Sequence, residues 1–362
     1  MNIRFLAISL LLSIISITTS AQGTKEAYTV LKDGTLTFYY NDSKPANAKQ
    51  IQSSRKDADW PEHVRNSVFK VVFDPSFKDY KPTNCTHWFW TFSNLCEISG
   101  MKEYLNTENV TDMSCMFYGC KFKSLDLSSF NTKKVTTMSC MFKHSKQLET
   151  IVLTNFNTKN VTDMAGMFED CASLTNIDLS NFNTSSVTTM KCMFHSCVHL
   201  TSLDLSSFDT KNVNDFDYMF QYSSNLRTIY VGDGWQSDKD GTAMFYDCNN
   251  LFGGKGTAYN VDYTDATYAK IDGGEDYPGY FTKSGEPAYI PDDADTPSSI
   301  KIWSSNHTIH IESDPGTKCT IINLTGKTKK SSAVQSLPKE IKINQKDIVI
   351  VIINGKSYKL SL

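Results

Sequence analysis

Excess charge of either sign is missing from this sequence. Its 36 Lys and Arg against 39 Asp and Glu leave a formal charge of -3, too small and too evenly spread to draw the chain to nucleic acid or to an anionic membrane. Beyond Ala21 no apolar run approaches the ~20 residues that a spanning helix needs, so no transmembrane segment is expected. No Ser-His-Asp arrangement, zinc motif or phosphate loop occurs, and the carboxylates are scattered. The sequence therefore offers no catalytic, cofactor-binding or metal-ligating constellation, and the expectation is a protein that is not an enzyme. Cysteine is absent until Cys85, which removes the thiol that an N-terminal lipid anchor of the bacterial lipoprotein kind would use.

The N-terminus itself is informative. MNIRFLAISLLLSIISITTSAQG places one cation, Arg4, before an apolar stretch from Phe5 to Ile17 and ends in small residues at Thr19, Ser20 and Ala21. This is the pattern of a secretory signal peptide over residues 1–21, cleaved after Ala21. Loss of Arg4 takes the formal charge from -3 to -4. The mature chain is expected to be exported and to reside at the cell surface or outside it, associated with an outer membrane.

What dominates the remainder is internal repetition. Met-Phe recurs at Met116-Phe117, Met141-Phe142, Met167-Phe168, Met193-Phe194, Met219-Phe220 and Met244-Phe245, so successive Phe positions lie 25, 26, 26, 26 and 25 apart. The unit reads L-x-x-[LI]-x-L-x-x-F-[ND]-T-x-x-V-[TN]-x-[MF]-x-x-M-F-x-x-[CS]. Within it, Leu174, Ile177, Leu179 and Phe182 suggest a short strand and its flanks. Val161, Met164, Met167 and Phe168 follow the three-and-four spacing of a helical face. The column Thr136, Thr162, Thr188, Asn214 supplies side chains able to cap such a helix. A unit this short cannot offset the entropy of its own ordering, so the spacing predicts an α/β repeat solenoid with about 25–26 residues per coil, capped at both ends.

Several columns invite a chemical reading. Asn131, Asn157, Asn183 and Asp209, each followed by Thr, are read as turn residues that satisfy backbone groups. Asn-Val-Thr at 109 and 160 and Asn84-Cys85-Thr86 match a glycosylation acceptor pattern, but the first two arise from the repeat itself. Cys120, Ser145, Cys171, Cys197, Ser223 and Cys248 share a column. Helices packed 8 to 10 Å apart would hold its members too far apart for disulfides, leaving Cys as a small buried residue that Ser can replace; Cys85 with Cys96 is the pair to test first. His195, Cys197 and His199 lie close together, but His195 and His199 align with variable surface positions, so the three are not read as a metal site. The candidate binding residues are Asp126, Val152, Asp178, Asp204 and Tyr230, followed two places on by Ser128, Thr154, Ser180, Ser206 and Gly232. Alternation along a strand would project them onto one continuous exposed sheet face, of which Ser180 and Ser206 are taken as part of the site.

The ends differ from the repeats. Residues 22–105 begin with AYTVLKDGTLTFYY, a hairpin signal around Asp33-Gly34, continue through SVFKVVFDPSF, and reach an aromatic segment with Trp88, Phe89, Trp90 and Phe92 that is read as a cap. The array is placed at 106–256 and its C-terminal cap at 257–284, where IDGGEDYPG makes a turn and lacks calcium-loop spacing. Residues 285–299 read as a linker, and 300–362 as a small all-β, sandwich-like domain with a hairpin at Asn354-Gly355.

With these residues in view, the chain resembles the BspA-like leucine-rich-repeat surface proteins of Gram-negative anaerobes, through "LNTENVTDMSCMFYGC", "IYVGDGW" and "YAKIDGGEDYPGYF". The resemblance implies a leucine-rich-repeat fold and an adhesive or binding role at the cell surface, with no catalytic residues and no cofactor. The tail, with "TIINLTGK" and "INGKSYKLSL", looks like the C-terminal sorting domains of type IX secretion and so implies contact with secretion machinery; Gln345-Lys346-Asp347-Ile348 departs from the Gly-containing turn common there. Two functional expectations follow: a module binding proteins of a host or neighbouring bacterial cell, or a glycan-binding or structural envelope component.

Overall fold

The computed structural model describes residues 23–51, 60–236 and 241–289 and, between 301 and 361, the backbone of seven strands. The signal segment, the linker from residue 290, Gln345 to Asp347 and the Asn354-Gly355 turn lie outside the described residues. Strands β1 (Glu26–Lys32) and β2 (Thr35–Asn41) pair antiparallel. They are joined at Asp33 and Gly34, both with positive φ (47° and 71°), as a two-residue hairpin turn matched to strand twist requires. Strand β3 (Lys49–Gln50) adds to β1. After helix α1 (Glu62–Ser67) come β4 (Lys70–Phe73), parallel to β2, and β5 (Glu97–Ser99), parallel to β4, completing the order β3-β1-β2-β4-β5. Helix α2 (Met101–Tyr104) follows. The aromatic segment is buried against this sheet: Trp88, Phe89 and Phe92 are at most 5% exposed, and the Phe38 ring meets Phe73 at 4.7 Å and Trp88 at 5.5 Å.

The repeats overturn the expected α/β leucine-rich-repeat solenoid. Among the described residues of 106–256 there is no helix, and the strands fall into separate small sheets. Strand β6 (Ser124–Asp126) pairs in parallel with β7 (Thr150–Val152) alone. Strands β8 (Ser202–Leu205), β9 (Thr228–Val231) and β10 (Phe281–Lys283) form a second parallel group. The stretch Ile177 to Leu179, read as a strand from its alternation, joins neither.

The physical reason lies in where the backbone N–H groups point. In the Met-Phe segment they alternate between two targets. Met141, Met167 and Met193 donate to the carbonyl three residues back in their own repeat, at 3.0 to 3.2 Å. The residues between them donate forward: Cys140 N–H to the Ala165 carbonyl (2.8 Å), Phe142 to Met167 (3.0 Å), His144 to Glu169 (2.8 Å). A helix would keep all these donors for itself.

Left-handed residues redirect the chain. Cys115, Cys140, Gly166, Cys192 and Tyr218 share one column with φ between 54° and 61°. Gly119, His144, Asp170, Ser196 and Tyr222, four residues further on, form a second column with φ between 58° and 69°. Most are not glycine, and each such residue costs roughly 1 to 2 kcal/mol relative to a right-handed conformation. The three-and-four spacing of Val161, Met164, Met167 and Phe168 thus reports side-chain direction correctly, since all four are fully buried, but it arises from successive tight turns.

Two further devices join repeat to repeat. The Phe of the Met-Phe pair stacks on its counterparts from Phe117 through Phe142, Phe168, Phe194 and Phe220 to Phe245, with centroids 5.4 to 6.0 Å apart and interplanar angles of 14° or less. Each such contact adds about 0.5 to 1.5 kcal/mol to the burial itself. The other device is the column Thr107, Thr132, Thr158, Thr184 and Thr210, at most 2% exposed. The Thr158 hydroxyl donates to the Asn183 carbonyl (2.9 Å) and accepts from the Asn183 N–H (2.8 Å); Thr107, Thr132 and Thr184 do the same toward Asn131, Asn157 and Asp209. The column expected to cap helices also bridges repeats: Thr136, Thr162 and Thr188 donate both N–H and hydroxyl to the equivalent carbonyl of the preceding repeat. The ladder reaches back into the aromatic segment, where Phe89 N–H donates to the Met116 carbonyl at 3.0 Å.

Between 301 and 361, β11 (Lys301–Ser305), β12 (Thr308–Glu312) and β15 (Lys339–Lys342) form one antiparallel sheet. A second contains β14 (Thr328–Ala333), β13 (Lys318–Asn323), β16 (Ile348–Ile353) and β17 (Lys356–Ser361) in that order. Among the described residues no helix is long and apolar enough to cross a membrane.

The Thr column generates a direct prediction. Thr158→Val keeps the shape but leaves the Asn183 N–H and carbonyl, both part-buried, facing a methyl group in place of their partner, which should cost about 1 to 3 kcal/mol, whereas Thr158→Ser should lose well under half of that. Denaturant unfolding of both variants measures the difference; equal losses would mean that the hydroxyl does not join the repeats.

Candidate functional site

The proposed row of outward residues is only partly continuous. Asp126 and Val152 are directly paired neighbours on β6 and β7, and Asp204, Tyr230 and Thr282 are aligned across β8, β9 and β10. Asp178 stands between the two groups on a stretch without strand pairing, so the single sheet face expected from alternation is interrupted. The Asn181 side chain shows what replaces the ladder there: its amide donates to the Leu153 and Phe156 carbonyls at 3.0 and 2.9 Å. Asn155 and Ser207 in the same column likewise bind carbonyls of the repeat before.

Outward exposure is nonetheless retained at Asp126, Asp178 and Asp204, and Val152 is 39% exposed. Each carboxylate is held by the Ser two residues on. Asp126 accepts from Ser128 N–H (2.9 Å), Asp178 from both the N–H and the hydroxyl of Ser180 (3.1 and 2.7 Å), and Asp204 from Ser206 N–H (2.9 Å). At Asp126 the Ser128 hydroxyl and N–H, followed by Lys102 at 3.4 Å, outweigh the small cost of burial and lower the carboxyl below its usual range. Ser180 and Ser206 therefore serve first to orient the acids. Tyr230 is half-buried, and burial, then the Asp204 charge, pushes its hydroxyl up. The row presents fixed acceptors beside an apolar Val and a neutral phenol, an arrangement suited to cationic or hydrogen-bond-donating groups.

Other sequence candidates separate in space or are occupied by the fold. His195 pairs with Gln221 Oε1 (3.1 Å), Cys197 Sγ donates to the Phe168 carbonyl (3.2 Å) and His199 contacts the Ala172 carbonyl. Among the described residues no group of three or more His, Cys, Asp or Glu side chains is placed to hold a metal ion. The Asn column behaves as read: Asn131, Asn157, Asn183 and Asp209 each accept from the N–H two residues on. Asn160 donates to the Lys133 carbonyl, and Asn109 and Asn84 are engaged by Lys134 and by Thr86 N–H.

In the buried Cys and Ser column, Cys120, Cys171, Cys197 and Cys248 donate to the carbonyl of a Phe in the preceding repeat at 3.0 to 3.2 Å, and Ser145 and Ser223 do the same at 2.9 and 2.8 Å. Ser thus replaces Cys because both supply a small donor. Cys85 is buried and Cys96 exposed, and both are free thiols, so the pair suggested for a disulfide is not bonded.

The turn IDGGEDYPG is organised by one acid. Asp272, 2% exposed, accepts from Lys255 N–H (2.7 Å), Thr257 N–H (3.0 Å), the Thr257 hydroxyl (2.7 Å) and Gly274 N–H (2.9 Å). Its lone pairs are used by the chain itself. Burial alone would raise this carboxyl, but the Thr257, Gly274 and Lys255 donors outweigh it and hold it below the usual carboxylate range.

Residues 83–175 and 150–255 match the protein family described as "Mycoplasma protein of unknown function, DUF285". The two matches overlap and together cover the laddered repeats, beginning one residue ahead of the first bridge, Asn84 with Asp112. No curated protein and no solved structure matches the chain.

Because the folded Asp272 carboxyl is depressed, its stabilisation is fully present above the ordinary value of about 4 and is lost as pH falls through the folded value. Protection factors for amide hydrogen exchange at residues 253–283, corrected for the intrinsic slowing of exchange in acid, should therefore fall below about pH 4 in the native chain. Asp272→Asn should raise exchange there already at neutral pH, since replacing a charged acceptor of several donors costs about 2 kcal/mol or more. Unchanged neutral-pH exchange in the variant would show that Asp272 does not hold the cap.

Proposed function

We propose that the chain is an exported surface protein whose repeat array is a non-catalytic binding or adhesion module for proteins of a host or neighbouring cell. The finer kinship we infer is with BspA-like surface proteins, and the C-terminal strands are read as a sorting domain engaged by secretion machinery. The observation that carries the binding reading is the oriented acid row. Asp126, Asp178 and Asp204 stand outward on Ser-held carboxylates, beside Val152 and Tyr230, while the inward residues of the same repeats are consumed by packing. The row is fixed before any partner arrives, so little ordering entropy is lost on binding. Basic or amide-rich protein surfaces are the matching chemistry.

A second reading, a glycan-binding or structural envelope role, draws on the exposed rings of Tyr222 and Tyr246, each 41% exposed and set edge-on to one another at 5.7 Å. Aromatic faces at the surface suit sugar C–H groups as well as protein contacts.

The discriminating experiment measures binding of the mature chain to intact host and bacterial cells treated beforehand with protease or with glycosidase. Protease is expected to abolish binding and glycosidase to spare it. Asp178→Ala with Asp204→Ala should weaken binding about tenfold or more, equivalent to roughly 1.4 kcal/mol. Unchanged binding by the double variant removes this face, and loss only after glycosidase supports the second reading.

A further inference from the structure

A second cysteine column runs along the repeats, one that neither the proposed function nor the packing explains. Cys115, Cys140 and Cys192 are half-buried, unlike the fully buried Cys of the packing column, and all three sit in left-handed backbone at φ 54° to 55°. Gly166 occupies the position between Cys140 and Cys192, and Tyr218 follows. Cys115 N–H donates to the Ser139 carbonyl (2.9 Å) and Phe117 N–H to the Met141 carbonyl (2.9 Å), which places Cys115 directly opposite Cys140 in parallel register. Neighbours in such a ladder lie about 4.8 Å apart, inside the roughly 4.4 to 6.8 Å range of Cα separations that a disulfide spans. Packed helices would hold equivalent Cα atoms of adjoining repeats about 8 to 10 Å apart, whereas this laddered backbone brings them within bridging distance.

The side chains reinforce the pairing. The Cys115 thiol stands as a hydrogen-bond donor toward the Cys140 thiolate. Ser139 Oγ lies 3.8 Å from Cys140 Sγ. On the other side Cys140 Sγ stands against Gly166, where even a Cβ would approach it to 3.2 Å. Cys192 is thereby separated from Cys140 by a residue without a side chain and has no thiol opposite it.

We propose that Cys115 and Cys140 form a thiol–disulfide exchange site, with Cys140 as attacking thiolate and Cys115 as resolving thiol, that closes into a covalent link between adjoining repeats. The co-reactant is a disulfide, either a small-molecule one or that of an oxidoreductase. Cys140 Sγ attacks one sulfur of that disulfide, forming a mixed disulfide and expelling one thiolate. Cys115, on losing its proton, attacks Cys140 Sγ and expels the second thiolate; the Cys115–Cys140 bond forms, and the two electrons and the protons leave with the two released thiols.

The charges nearby suit these roles. The hydrogen bond from Cys115 is the largest influence on Cys140; burial opposes it, the Ser139 hydroxyl and Lys143 assist and Glu169 opposes, and the result is a thiol lowered to about 7. Lys143 is itself held by Glu169 at 2.7 Å. Cys192, with burial as its largest influence and Glu169 next, is raised to about 11. A thiolate rather than a thiol is the nucleophile, so Cys192 serves as an internal control in the same column. The inference stands apart from the binding reading and from the chain's destination, since purified protein suffices to test it.

The test uses the full chain, reduced and then exposed to oxidised glutathione at pH 7.5, with quenching by an alkylating reagent and mapping of peptides by mass spectrometry. A Cys115–Cys140 linkage is expected, with Cys192 alkylated as a free thiol. In a separate time course on the reduced protein at pH 7, Cys140 should alkylate at least tenfold faster than Cys192. Cys115→Ser should trap Cys140 as its glutathione mixed disulfide. Equal alkylation rates at Cys140 and Cys192, or an oxidised chain in which Cys115 and Cys140 remain unlinked, would overturn the proposal, and both readings come from the native sequence, with no variant needed.

Discussion

Every repeat depends on giving half the N–H groups of its Met-Phe segment to the repeat that follows. Phe117, Phe142, Phe168, Phe194 and Phe220 all donate forward at 2.9 to 3.0 Å. That pattern is available only if the chain turns away from a helix every fourth residue, which the left-handed columns accomplish. Each hydrogen bond contributes about 1 kcal/mol net and each left-handed side chain costs a comparable amount, so neither decides alone. The surplus comes from burial and ring stacking. One repeat in isolation would carry the strain without the neighbour that offsets it, which explains why the passage recurs so closely.

The same constraint shapes the surface. Because the turn side is given over to bridging, the strand side is left as short pieces, β6 with β7 and β8 with β9 and β10. Asn155, Asn181 and Ser207 bind carbonyls between repeats, and the acids of the outward row are oriented by Ser128, Ser180 and Ser206. Polar residues near the strands thus act mostly on the backbone, and the carboxylates face outward with their directions set. Ion pairs between repeats align neighbouring repeats: Lys143 with Glu169, largely covered, and Lys191 with Asp217, more exposed, where such a pair adds little energy.

Much of this was legible in the residues, and what was not has a definite cause. The period, the hairpin at Asp33-Gly34, the interchange of Cys with Ser and the buried Met-Phe pair all follow from pattern. The helix did not, because a three-and-four spacing marks which side chains point inward and is equally produced by tight turns closed at every third residue. Left-handed Cys115, Cys140, Cys192 and Tyr218 give no propensity signal; Gly166 in that column, and Gly119, His144 and Asp170 in the next, are the hints that φ is positive there. The unbroken Thr132, Thr158, Thr184, Thr210 column was visible beside the Asn column, and an invariant hydroxyl at a buried position was the clue to a bridge between repeats. The break at Ile177 to Leu179 had no sequence mark, since Asn181 resembles any turn residue.

The most direct measurement is the set of scalar couplings across hydrogen bonds, read by NMR for the Met-Phe segments. Couplings are predicted from Phe117 N to the carbonyl carbon of Met141, from Phe142 N to that of Met167 and from Phe168 N to that of Met193. Couplings instead from each Phe to the residue four places back in its own repeat, such as Phe142 to Met138, would reinstate helices and contradict this description of the fold.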